Sequence, residues 1–186
     1  MTTNKQLGYL LIEENNNTYR GAVLITDFRG IPMDFRYTDP VSPTRIERVL
    51  YGNALDVYLR EELILQSLVS SVEMKPVLWI CREDSFLAPL RKVSRGKVVT
   101  LSDTARSFLN QTGNMEPQIE KGVFLLQVDP VSSPLRLCVE SEREGEANDI
   151  SAILVEAART MELLEPFTRI EKALRAIEDE RENSQA

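Results

Sequence analysis

The chain has no histidine in its 186 residues. That absence removes the Ser-His-Asp and Cys-His catalytic arrangements and every imidazole metal site. Cysteine is scarce: Cys81 and Cys138 are the only two, and they form no CxxC pair. A structural zinc site in its usual form is therefore excluded. Both cysteines sit in apolar, strand-like runs and read as buried free thiols, which points to a reducing cytoplasm. The GxGxxG, GxxxxGK[ST] and GxSxG patterns are also missing, and with them the common dinucleotide, P-loop and hydrolase signatures. No apolar run approaches the roughly 18 residues of a membrane span. The opening MTTNKQLGYL has no apolar core of a signal peptide. Trp79 is the single tryptophan, and its apolar surroundings read as core packing.

The composition that remains is that of an ordinary globular chain, 42% hydrophobic and 27% charged. The net charge of −7 is unevenly placed. Residues 1–139 carry 16 acidic and 16 basic groups, whereas residues 140–186 carry 13 and 6. The C-terminal portion therefore repels phosphate, and nucleic acid is not the favoured partner on this count.

The chain is organised around residues 21–72. Ala22 to Ile25 is apolar on both faces, as in a strand covered on both sides. Asp27-Phe28-Arg29-Gly30 is turn chemistry. Pro32 to Thr38 alternates, with Met33, Phe35 and Tyr37 facing one way and Asp34, Arg36 and Thr38 the other. Ser42-Pro43 predicts a helix start, and Gly52-Asn53 a kink within the helical run that follows. Upstream, residues 7–13 predict a strand joined through Glu14 to Asn17 by a hairpin turn. Downstream, residues 76–82, 97–101, 122–128 and 135–139 predict further strands. A small helix is expected from Ser102-Asp103 through Leu109, and residues 111–121 read as a polar loop. Two helices, or one kinked at Pro166, close the chain.

This order predicts an α+β fold: a mainly antiparallel or mixed sheet of six to seven strands with the long helices over one face. The element order, without any shared motif, resembles longin, roadblock and profilin-like modules, and more loosely PAS and GAF domains. Residues 1–165 are expected to form one domain, and 166–186 an amphipathic helical extension.

Three groups of residues are candidates for function. Asp27, Asp34 and Asp39 lie on or beside neighbouring strands, and three such acids could hold Mg²⁺ or Mn²⁺ for phosphoryl chemistry. Glu116, Glu120 and Lys121 offer a poorer version of the same idea. Arg91, Lys92, Arg95 and Lys97, with Arg106, form a basic segment opposed only by Asp103; it suits phosphate, an acidic partner or the chain's own acidic C-terminus. Phe167, Ile170, Leu174 and Ile177 form an apolar stripe that suits a partner helix or a second copy. With catalytic groups so few, the leading expectation is a non-enzymatic interaction or adaptor subunit of a cytoplasmic assembly. It would associate through its C-terminal helices, without cofactor, metal or membrane. The alternatives are a carboxylate-dependent phosphoesterase or nuclease, and a small-ligand sensing domain.

Overall fold

The computed structural model describes residues 5–186. β1 (Gln6–Asn15) and β2 (Thr18–Asp27) form a long antiparallel hairpin, with Gln6 opposite Asp27 and Asn15 opposite Thr18. Its turn is Asn16-Asn17, both at positive φ (48° and 65°), the backbone that matches the right-handed twist of the flanking strands. β3 (Pro32–Tyr37) pairs antiparallel with β2 and forms one edge, where a leading proline costs no ladder bond. β4 (Leu78–Cys81) then adds parallel to β1, and β5 (Val98–Ser102) parallel to β4. β6 (Met115–Pro117), β7 (Val123–Leu126) and β8 (Leu135–Cys138) complete the sheet in the order β3-β2-β1-β4-β5-β8-β7-β6. The sheet is mixed and has eight strands among the described residues, where six to seven were expected.

Helices cover both faces of this sheet, which corrects the expected single layer. The reason is visible in β1. Leu7, Tyr9 and Leu11 belong to one apolar cluster, and Leu10 and Ile12 to another, so each face needs its own cover. The crossovers between parallel strands supply one layer. α1 (Arg45–Tyr51), α2 (Leu55–Val57), a π-helix (Tyr58–Leu65), α3 (Gln66–Ser71) and α4 (Leu87–Ser94) all lie in these connections. Leu59, Ile64, Leu65 and Leu68 pack there with Val23, Ile25 and Trp79. Gly21 makes room for them: a Cβ at this position would sit 2.7 Å from Ile64 Cγ2. The second layer is α5 (Ala147–Ala158) and α6 (Glu165–Gln185), which bury Ile150, Leu154, Phe167 and Ile170 against the opposite face. Trp79 is core, and Cys81 and Cys138 are buried free thiols.

Local details also differ from expectation. The cap of α1 is Thr44 rather than Ser42. Glu47 N–H donates to its hydroxyl, and the Glu47 carboxylate accepts from Thr44 N–H, a reciprocal capping box. Ser42 Oγ instead bonds Thr18 Oγ1 at 2.8 Å. Residues 103–109 form no helix, and Met115–Pro117, inside the expected polar loop, forms the edge strand β6. The interruption at Gly52 is present, with φ at +53°. Among the described residues no helix is long and apolar enough to cross a membrane.

Candidate functional site

The three aspartates do not converge on one point. Asp27 is buried at the end of β2, and both of its carboxylate oxygens are satisfied. Oδ1 accepts from the backbone N–H of Arg29 (2.8 Å) and Ile31 (3.0 Å). Oδ2 accepts from Arg29 Nη2 at 2.7 Å. Burial works against its charge, but the Arg29 guanidinium and the two amides prevail and hold its pKa below the usual carboxylate value. Asp34 is paired with Arg36 at 3.0 Å on edge strand β3. Asp39 lies past the far end of β3, about 16 Å of extended chain from Asp34, and pairs with Arg181. Glu116 and Glu120 are exposed, on β6 and in the turn after it. A metal-dependent phosphoesterase needs several carboxylates aimed at a shared cation. Among the described residues no group of three His, Cys, Asp or Glu side chains is placed to hold one. The described residues do not fit such an ion.

In open α/β sheets, ligands favour the carboxyl ends of the parallel strands. There, an open cleft of about 730 Å³ lies between the ends of β4 and β5 and the start of α6. Arg82 and Lys172 line it together with Asp103, Glu162 and Glu165. Arg82 is bonded to Glu171 at 2.5 Å and lies 4.8 Å from the Phe167 ring centroid. Beside β4, Asp84 accepts from Arg136 Nη2 (2.7 Å) and from Thr100 Oγ1 (2.5 Å). The Arg136 bond is the main cause of a pKa below the ordinary carboxylate range. Glu165 of this cleft is paired with Arg169 at 2.9 Å, whereas Asp103 and Glu162 make no ion pair among the described residues; their negative charge makes the cleft an unfavourable seat for a bare phosphate.

The basic segment divides in two. Arg91 is spent on the acidic C-terminal portion, paired with Glu140 at 2.8 Å and with Glu146. Lys97 faces Asp149 at 3.4 Å. Lys92 and Arg95 are exposed and make no ion pair among the described residues. Arg95 ends α4 in the left-handed conformation (φ +57°), its N–H donating to Arg91 O at 2.8 Å. That turn brings it to a groove of about 460 Å³ whose other cation is Lys75. Trp79, Val69, Val72 and Val93 form its apolar wall, and Glu73 is its only acid. Sequence reasoning missed Lys75, which reads locally as half of a Lys-Pro strand break. Nothing local marks that α3 and α4 pack together and bring it to Arg95.

The C-terminal stripe is covered by its own chain. Phe167 and Ile170 are fully buried, Leu174 nearly so, and Ile177 half-buried. Phe167 stands edge-on to Tyr9 with ring centroids 5.3 Å apart. Pro166 falls in the first turn of α6, where its missing N–H is harmless, and it is buried.

No protein-family model matches the sequence, and no curated protein is matched by it. Among solved structures the chain resembles endonuclease V. An Asp-to-Asn variant of the Ciona intestinalis enzyme, in complex with a DNA containing an inosine followed by a ribo-adenosine, superposes with a TM-score of 0.56 at 13% identity. That match covers 95% of this chain and 86% of the other. Endonuclease V from Streptomyces avermitilis gives a TM-score of 0.56 at 9% identity, over 96% and 83% of the two chains. The likeness is one of fold. It overturns the expected adaptor reading: the architecture is shared with endonuclease V structures, one of them solved on DNA. The preference for a protein partner over nucleic acid is corrected on the same finding.

Proposed function

We propose that this chain acts on nucleic acid, as a nuclease-class protein. The observation that supports this reading is the fold likeness to endonuclease V along nearly the whole chain. Its natural ligand is then a polynucleotide. The phosphate backbone is gripped at the groove of Lys75 and Arg95, with Lys92 on the adjoining helix. They make no ion pair among the described residues, with Glu73 alone of the acids lining the groove, whereas the acidic residues from 140 on are in part tied to Arg91, Lys97 and Lys5. The global charge of −7 therefore does not set the local field at this groove. Two buried free thiols suit a reducing compartment such as the cytoplasm.

The test is a binding and cleavage panel: end-labelled single strands and duplexes of DNA and RNA, with and without inosine, each with Mg²⁺ or Mn²⁺. Binding should weaken linearly in log–log form as salt rises. The Lys75→Ala/Arg95→Ala double variant should lower the slope by about two. Absence of binding to every polymer at low salt would end this reading.

A further inference from the structure

α1 leaves a run of apolar side chains open. Residues 44–54 are exposed without interruption, and α1 buries none of its own side chains. Ile46, Val49 and Leu50 are 70%, 76% and 77% exposed, and their i, i+3, i+4 spacing puts them on one face. Tyr51 and Val57 are also exposed, and α1 and α2 touch across the break at Gly52. A seven-residue helix is far too short to be stable in water alone. Yet this one is defined at both ends, by the Thr44–Glu47 capping box and by Gly52 at φ +53°. A capped helix that lifts three aliphatic side chains off the body calls for cover.

We propose that a second copy of this chain supplies the cover, the two α1 helices packing face to face about a two-fold axis near Val49. Area argues for this occupant. The five apolar residues leave on the order of 500 Å² open per chain, so a pairing that reaches Tyr51 and Val57 as well as the Ile46/Val49/Leu50 face buries about 1,000 Å² in total, the threshold of a specific interface. The ridge is also self-complementary: i, i+4 rows of aliphatic side chains interdigitate with an identical set. The Ile46/Val49/Leu50 face itself carries no charge; Arg45, Glu47 and Arg48 of the same helix flank it, where pairing can leave them in water. Phosphate has no partner among these three side chains. The proposal is independent of the nucleic-acid reading and uses a different surface from the buried C-terminal stripe.

The experiment is sedimentation velocity of the full chain from low micromolar to near-millimolar concentration, beside Leu50→Arg and Val49→Glu. Both variants change side chains that are about three-quarters exposed, so the fold is retained, which circular dichroism checks. Wild type should double its mass with concentration, and both variants should stay monomeric. As a second measurement, Val49→Cys should form an intermolecular disulfide under mild oxidation much faster than Ser184→Cys on exposed α6, since native Cys81 and Cys138 are buried. A wild type that stays monomeric throughout overturns the proposal and leaves the ridge to a different protein or to a lipid surface. A dimer that survives Leu50→Arg, or equal crosslinking at residues 49 and 184, overturns it as well.

Discussion

Asp27 shows how a residue that resembles a catalytic acid is consumed by structure. Four donors from two residues converge on its carboxylate, and the side chain is shielded from water. The result is a locked turn between β2 and β3. Because its pKa is depressed in the folded state, its contribution is present above the ordinary carboxylate pKa. It is lost as the pH falls from about 4 toward the lower folded value. Asp27→Asn should cost about 1–3 kcal/mol at neutral pH. It should also flatten the fall of Tm between neutral and strongly acid solution, as measured by thermal melts across pH. A variant that melts like wild type at every pH would show that the turn holds without the charge. The thiols make a second case. Burial pushes the pKa of Cys81 well up, and Cys138 moves the same way for the same reason. Neither is poised as a nucleophile. A thiol reagent should label the native chain slowly and the unfolded chain at once; rapid native labelling of Cys81 would contradict its burial.

At the scale of elements, α6 is the instructive case. Its apolar spacing was legible in the sequence, but periodicity states that a helix has an apolar face and not what covers it. The cover is β1 and β2, through Tyr9 and its neighbours on the same sheet face. Phe167→Ala should therefore cost about 3–5 kcal/mol, as a cavity opened under a full aromatic ring. Ending the chain at Glu165 should abolish cooperative unfolding altogether, because it strips one face of the central hairpin. A truncated chain that still melts sharply would restore α6 to the status of an appendage. On the other layer, Gly21→Ala should destabilise by about 1–3 kcal/mol through overpacking against Ile64. Strands with strong local signals were also legible, including both arms of the hairpin and its Asn-Asn turn. β6 was not, because three residues at an edge carry too short a pattern to read.

At the scale of the molecule, what the sequence hides is assembly. Apolar residues on both faces of β2 hinted at two-sided cover, although the element order pointed to helices on one face. No local feature announced that the crossovers to β4 and β5 would lie on one face and α5 and α6 on the other. The same holds for the candidate groove: Lys75 and Arg95 meet only because α3 and α4 pack side by side. The acidic surplus, legible as a block after residue 139, turns out to be stitched to the body. Arg91, Lys97, Lys5, Arg82 and Arg20 each hold a carboxylate from that block. This pairing accounts for part of the positive charge among the described residues; Lys75, Lys92 and Arg95 stay outside it and gather at and beside one groove, where a polyanion should find them. Lysine-modification footprinting should then show a polynucleotide protecting Lys75 and Lys92 while leaving Lys172 reactive. Lys172 lies in the carboxylate-lined cleft on the other side of the sheet, where phosphate meets Asp103, Glu162 and Glu165. Protection of Lys172 in place of Lys75 would move the interface to the carboxyl ends of β4 and β5. It would mean that the polymer arrives there with cations of its own, since the fixed charges of that cleft oppose it.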